Sequence, residues 1–449
     1  MRGILAAALS GIATIAVSQT PETLSFREAV KIGLQNNVVL NKNRNNLEYT
    51  QLNKTSTLLQ MGPSVRASAS AYRNDGNSFN PQQGEVVNGV IDYVNGSIDA
   101  DMPIFTGLRV LNTHRQAVSE NEAQLHLVNR SSQDVIREVA SQYLTCLLDQ
   151  QLVAIDEQNV EAQRVQYEQI KAQVDLGTRA EADLYNQEYQ LKNAELLLVR
   201  SRNKLKDDKT LLAQTLLIDP SVPFELAEVE WDVNVAVMDT LSLDQMMATA
   251  MSRRSDLRQA EETEEATRYQ YSAMKGRYYP SLYAGVSYGS RYNYIHGADN
   301  RSFDEQFRTD NRQFGYGLSL SIPIYGGLLF RSQAAQVRAL HKNAELDTEN
   351  AKITVKTDVI RAYQNLRDAI ASYDAADAQL RAAELSYRME KERYDLGISD
   401  IVQLAVVNQT YVKAQADYQS ARYTLMFQKL LVNHAMGTLK LEDIPEASN

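Results

Sequence analysis

Asp175-Leu176-Gly177 recurs as Asp395-Leu396-Gly397, and each copy holds the single glycine of a long segment without proline, 108–218 and 328–436. Glycine accepts the left-handed backbone that ends a helix, so each Leu-Gly predicts the bend of a helical hairpin. A run of about 65 residues before each bend makes a helix on the order of 100 Å long at roughly 1.5 Å per residue. Ordinary globular helices are far shorter. The two bends are where partners of the chain are expected to meet it.

Working outward, the sequence repeats around these bends. Thr23-Leu24-Ser25 and Pro63-Ser64 recur at one common offset, as Thr240-Leu241-Ser242 and Pro280-Ser281. Pro103-Ile104-Phe105, Tyr143 and Gly177 recur at a second, slightly longer offset, as Pro323-Ile324-Tyr325, Tyr363 and Gly397. The two registers imply an internal duplication with one small insertion between Ser281 and Pro323. The first copy is read as 19–218, with a helix 22–62, strands 63–73 and 90–105 and coiled-coil helices 108–174 and 178–218. A linker 219–239, containing Trp231, is expected to pack as a side domain with a tail, 437–449. The second copy is 240–436, with a helix 243–279, strands 280–290 and 313–325 and coiled-coil helices 328–394 and 399–436.

Each copy opens on a capping-box pattern, Ser25 with Glu28 and Ser242 with Gln245, and its first helix is expected to stop before a proline. The period then changes to two. Phe314, Tyr316, Leu318, Leu320 and Ile322 alternate with Gly315, Gly317, Ser319 and Ser321, and Val94, Gly96, Ile98, Ala100 and Met102 with Asn95, Ser97, Asp99 and Asp101. Strands of about 9 to 12 residues with one apolar face suit a tilted membrane-spanning strand, so the apolar row is read as lipid-facing. Four strands cannot close a barrel, for which about eight is the smallest common number, and an open edge cannot face lipid. Copies of the chain must therefore share a barrel. Twelve strands from three copies is the natural closure; eight from two would close around little lumen.

In the long segments, Val135, Val139, Tyr143 and Leu147 form an apolar seam in the first outgoing helix. The returning helices carry a heptad repeat: Leu184, Leu191, Leu198, Leu205 and Leu212, then Leu404, Tyr411, Tyr418 and Leu425. Such heptads denote coiled-coil packing.

The remaining features limit the function classes. Net charge is −10, with no basic cluster, which argues against nucleic acid. Residues 1–18 combine Arg2, an apolar run and Ala16-Val17-Ser18, the pattern of a secretory signal. The one cysteine, Cys146, is read as a buried thiol. The five histidines are scattered and lack metal-site or catalytic spacing, and Gly315-x-Gly317 lies in a strand pattern, so no enzyme, cofactor or metal is expected.

In this order and register, the strand pairs, Pro-Ile-aromatic-x-Gly strand ends, Leu-Gly bends and secretory start resemble the TolC-like outer-membrane factor family over essentially the whole mature chain. The resemblance implies a mixed α and β membrane protein. Three copies form a 12-stranded outer-membrane β-barrel continued by a periplasmic α-helical barrel. It implies the exit duct of a tripartite efflux pump or type I secretion system of a Gram-negative bacterium. A periplasmic adaptor would dock on the tips and an inner-membrane transporter would supply energy. The tips are Leu176, Gly177 and Thr178, and Leu396, Gly397, Ile398 and Ser399. By the same resemblance, acidic residues face the narrow periplasmic entrance, and a basic and an aromatic residue hold it closed. Asp183 matches the acidic position, but its counterpart is Gln403. The basic position is Ser399 in the second copy and Arg179 in the first. The closing ties are accordingly expected to be redistributed, over Arg179, Glu181 and Asp183 in one copy and Tyr394, Asp400 and Gln403 in the other. The competing class is a periplasmic coiled-coil adaptor or structural protein, which would usually carry one hairpin rather than two.

Overall fold

The computed structural model describes residues 23–80, 84–229, 242–326 and 328–445. The expected signal segment 1–18 and Trp231 lie outside them. In chain order the elements are β1 (Thr23–Leu24), α1 (Phe26–Asn36), α2 (Val38–Leu59), β2 (Ser64–Asn80), β3 (Glu85–Thr106), α3 (Arg109–Asp175), α4 (Glu181–Leu216) and β4 (Glu225–Leu226). Then follow α5 (Leu243–Arg253), α6 (Ser255–Lys275), β5 (Ser281–Ile295), β6 (Gln313–Ser321), α7 (Leu329–Asp395) and α8 (Ile401–Met436). The chain divides into two compact units. The described parts of Met1–Asn41, Ser131–Arg253 and Thr357–Asn449 form one, and Lys42–Arg130 with Arg254–Lys356 the other. Each unit draws on both sequence repeats.

The unit of Lys42–Arg130 and Arg254–Lys356 carries one antiparallel sheet in the order β2-β3-β5-β6. Its register keeps the apolar row together: Ile98 opposes Ala67 and Tyr288, and Tyr288 opposes Phe314. The other face is polar, with the Ser68 and Ser97 hydroxyls 2.8 Å apart, Ser97 donating to Asp99 at 2.8 Å, and Tyr72 stacked on Tyr93 at 4.9 Å further out.

Three strands are longer than the alternation predicts, because polar loop sequence does not prevent backbone pairing. The Arg73 guanidinium grips the Asp92 carboxylate with two bonds, 2.6 and 2.9 Å, and the β2–β3 ladder continues beyond it to Asn80 and Glu85. By contrast, β6 ends at Ser321, short of the expected 325. Its partner β5 begins at Ser281, which pairs with Ser321, so no β5 residue remains to continue the ladder.

Because β6 begins only at Gln313, opposite Gly289, the outer part of β5 passes beyond it, and side-chain amides take the place of a strand there. Asn311 donates to the Arg291 carbonyl at 2.8 Å. Gln306, 1% exposed, accepts from the Asn293 N–H at 3.1 Å and donates to its carbonyl at 3.0 Å. Asn300 does the same for Ile295, at 2.8 Å each way. Alternate residues of one strand edge are thereby satisfied, and buried backbone polar groups need such partners.

The expected single opening helices, 22–62 and 243–279, are each two helices. Both breaks have the same backbone: Asn37 at φ −54, ψ 121 and Arg254 at φ −64, ψ 121. The two positions correspond in the first of the two repeat registers. Neither residue carries a periodicity signal, since the interruption is one non-helical ψ value. Asn37 then accepts from the Leu40 N–H at 2.9 Å, restarting the chain as an N-cap.

In the other unit, Ser25 and Glu28 form the expected capping box. The seam residues Val135, Val139, Tyr143 and Leu147 are all buried. Tyr143 stacks on Phe26 with centroids 4.7 Å apart, and its hydroxyl lies within bonding distance of the carbonyls of Leu24 (2.9 Å) and Ala227 (3.0 Å). Those carbonyls belong to the parallel pair β1–β4 and its extension, so one tyrosine fastens the linker to the start of the chain. The described part of the linker thus pairs with β1, while in the tail Leu439 and Ile444 are buried.

Candidate functional site

Both bends close identically. The Thr178 N–H reaches the Gln173 carbonyl at 2.9 Å and the Gly177 N–H that of Val174 at 2.8 Å; Ile398 to Arg393 and Gly397 to Tyr394 repeat the pattern at 2.9 Å each. This crossed pair of bonds is the Schellman ending, which needs a left-handed residue. Gly177 has φ 70° and Gly397 φ 73°. The flanking Leu176, Leu396 and Ile398 are 78%, 74% and 65% exposed, leaving an apolar residue at each tip open to a partner. Thr178 is also exposed, and its hydroxyl donates back to the Gln173 carbonyl at 2.8 Å.

Beyond the glycine the two tips diverge. Arg179 donates to the Gln173 side-chain oxygen at 3.1 Å, pairs with Asp183 at 3.3 Å and donates to the Tyr394 hydroxyl, its guanidinium carbon 5.0 Å from the Tyr394 ring centroid. One cation thus joins the α3–α4 bend to the last turn of α7. A cation over an aromatic face contributes about 0.5–2 kcal/mol, more than the partly exposed ion pair at about 0.2–1 kcal/mol. Glu181 stays exposed on the first turn of α4.

At the second tip Asp400 caps α8 by accepting from the Gln403 N–H at 2.8 Å. Ala180, its counterpart, makes no side-chain cap. Among the described residues, neither Asp400 nor Gln403 reaches Arg179 or Tyr394 with a bond. Ser399 instead donates to Glu390, whose other oxygen accepts from Arg393 at 3.0 Å. Sequence reasoning missed Gln173, Glu390 and Arg393. A signal existed for Glu390: in the second repeat register it is the counterpart of Ile170, which is 1% exposed, so a carboxylate occupies a row that is apolar in the other hairpin.

The hairpins also differ along their length. Lys204 bridges Asp149, at 2.6 and 2.8 Å, and Asp208, at 2.9 Å. In the same register the counterparts of Asp149, Lys204 and Asp208 are Ala369, Thr424 and Gln428. The Asp149 side chain is 2% exposed, and burial first, then its hydrogen bond with Asp208, pushes its carboxyl up to about 6. Cys146, one turn away, is fully buried and its thiol is pushed up to about 12, chiefly by burial, which leaves it unreactive. In the second hairpin, tyrosines replace the heptad leucines: Tyr411 stacks on Tyr387 at 5.2 Å and Tyr418 packs on Tyr373 at 5.6 Å.

On the sheet, Phe314, Tyr316, Leu318 and Leu320 project from β6 as an exposed apolar row, 61–83% accessible. Ile322, expected in the same strand, lies just past its end, also exposed. Among the described residues no helix is long and apolar enough to cross a membrane.

Comparison with known proteins gives the same picture over nearly the whole chain. The outer membrane protein TolC of Escherichia coli is 25% identical over 322 residues, covering 71% of this chain and 64% of TolC, less than two thirds of that relative's length. The outer membrane efflux protein BepC of Brucella suis is 23% identical over 434 residues, covering 94% of this chain and 89% of BepC. The solved structure of the outer membrane protein VceC from Vibrio cholerae superposes with a TM-score of 0.78 at 14% identity, covering 92% of this chain and 96% of that one. The model of the family described as outer membrane efflux protein matches residues 32–216 and 247–437, and the chain belongs to that family.

Proposed function

We propose that the chain is an outer-membrane exit channel, carrying small molecules or polypeptides from a periplasmic pump to the exterior of a Gram-negative cell. The observation that carries this reading is the sheet. Its four antiparallel strands end in β2 and β6, run in opposite directions at the two edges, and present one exposed apolar face and one polar face. An apolar face of this kind suits lipid, and edges that run oppositely allow β6 of one copy to pair antiparallel with β2 of the next.

Three copies then close a twelve-stranded barrel, with the helical hairpins in the periplasm forming the continuing duct. Internal duplication is the simplest source of the matched features: paired breaks at Asn37 and Arg254, and the clasps Thr50–Asn121 at 3.2 Å and Thr267–His341 at 3.1 Å, which follow the same two registers. The tips around Gly177 and Gly397 are the docking positions for a periplasmic adaptor, which links the duct to an inner-membrane transporter. The ties at Arg179, Asp183 and Tyr394 hold its entrance closed. Glu181, Asp400 and Gln403 stand on the first turns beside them. The chain itself performs no catalysis in this reading.

Membrane fractionation with unheated gel electrophoresis tests it. An outer-membrane, heat-sensitive trimer that gives discrete conductance in planar bilayers is expected. A monomer in the soluble periplasmic fraction would sink the proposal and favour the adaptor class.

A further inference from the structure

We propose that the loop end of the sheet carries a binding groove for the phosphate of a membrane lipid, an inference that rests on the outer-membrane reading above. A groove of about 550 Å³ lies between the helical segment Phe303–Asp310 and strands β3 and β5. Ile98, Tyr288, Ser290 and Phe307 line it, Arg308 and Arg312 add two cations, and no carboxylate takes part in the lining.

Its apolar part is built. A Cβ at Gly96 would stand 3.0 Å from the Phe307 ring, so glycine leaves the space that the ring occupies. Phe307 stacks on Phe303 at 5.0 Å, Phe303 meets Tyr292 edge-on at 5.2 Å, and the Ser290 hydroxyl donates to the Phe307 carbonyl at 2.6 Å. Ile98 and Tyr288 are also members of the row that continues through Phe314 and Tyr316, the proposed lipid face.

The groove therefore grades from a lipid-facing apolar row to a cationic end beside the loops. That order fits an acyl chain below and an anionic headgroup above. Guanidinium groups match phosphate with paired, charge-assisted bonds, and basic pockets beside membrane segments take phosphorylated headgroups. Arg308 is held at 3.1 Å by Asp304, but both side chains are more than 70% exposed, 76% and 72%, so a phosphate can replace that carboxylate at little cost. A free phosphate ion would leave the apolar half of the groove unused. The occupant is thus a phosphorylated lipid of the outer leaflet.

The test is native mass spectrometry of the detergent-extracted full chain with diphosphoryl lipid A, with its dephosphorylated form, and with inorganic phosphate as competitor. Retention of diphosphoryl lipid A should fall about tenfold for the Arg308→Gln, Arg312→Gln double variant and for the dephosphorylated lipid, the loss expected when charge-assisted bonds go. Phe307→Ala should also weaken retention. Equal retention by double variant and wild type, or equal retention of the dephosphorylated lipid, overturns the site, as does displacement by millimolar phosphate. Unchanged heat sensitivity and conductance of the variants shows that they fold. Fractionation separates the two readings: a wild-type chain in the outer membrane that ignores lipid A defeats this inference alone, whereas a chain absent from that membrane defeats the channel.

Discussion

The guanidinium of Arg179 both stands 5.0 Å above the ring of Tyr394 and donates to its hydroxyl, so two residues 215 apart in sequence make one two-part contact between hairpins. The parts can be separated chemically. Tyr394→Phe keeps the ring and removes the acceptor, whereas Arg179→Ala removes both parts and the Asp183 pair as well. If this contact holds the entrance closed, resting conductance in planar bilayers should rise modestly for Tyr394→Phe and several-fold for Arg179→Ala. Resting conductance unchanged in both variants would remove the tie from the gate.

The two kinds of positive-φ glycine should respond differently to alanine. At Gly177 and Gly397 an added Cβ would meet no atom within 4 Å, so only backbone strain opposes the change. That strain is about 1–2 kcal/mol. At Gly107, φ is 63° and a Cβ would fall 2.3 Å from the Gly276 carbonyl oxygen, a backbone atom that cannot swing aside. Thermal unfolding should show small, nearly equal losses for Gly177→Ala and Gly397→Ala. Gly107→Ala should fail to assemble or lose several times more. Similar losses at all three positions would show that the strand-to-helix turn relaxes.

Asp149 makes a pH prediction whose direction is opposite to that of an ordinary surface ion pair. Its folded pKa, about 6, lies above the unfolded carboxylate value, so the folded chain holds this proton more tightly. The contribution is full below the unfolded value, near pH 4, and is lost as pH rises through about 6. Asp208, whose carboxyl is lowered chiefly by its bond with Asp149, acts in the other sense only as pH falls below the ordinary carboxylate range. Relative to Asp149→Asn, which cannot titrate, the wild type should therefore gain on the order of 1–3 kcal/mol between pH 7.5 and 4.5. Circular dichroism melting of both proteins across that range checks the sign. A wild type that loses ground on acidification would mean that Lys204 holds Asp149 ionised.

Much of this arrangement was legible because it is periodic. The Leu-Gly bends, the heptads, the buried Val135-to-Leu147 seam and the alternating rows all declare themselves by spacing, and duplication doubles each signal. What was not legible depends on single dihedrals or on distant partners. Asn37 and Arg254 break helices through one ψ value each. β6 stops early because its partner β5 begins only at Ser281, whereas the β2–β3 ladder runs on past the Arg73–Asp92 pair. At the tips, the expected set Arg179, Glu181, Asp183, Tyr394, Asp400 and Gln403 separates. Arg179 meets Asp183 and Tyr394, while Asp400 spends its carboxylate on capping α8. Glu390 takes Ser399 and Arg393 through contacts that no local pattern announces.

The amide ladder along β5 supplies the last prediction, and it distinguishes sealing an edge from simply filling space. Gln306 satisfies both backbone groups of Asn293 from a nearly inaccessible position, so Gln306→Ala leaves a buried N–H and carbonyl without their partner. Each such group costs about 1–3 kcal/mol, giving a loss of about 2–4 kcal/mol once some relaxation is allowed. Gln306→Glu keeps the acceptor for the Asn293 N–H but sets a carboxylate against its carbonyl, and should be at least as damaging despite equal volume. Asn311→Ala gives up one exposed bond and should cost under about 1 kcal/mol. The temperature at which the unheated-gel band dissociates ranks the three. Should Gln306→Glu behave as wild type while Gln306→Ala does not, packing volume rather than edge satisfaction would be what the glutamine provides.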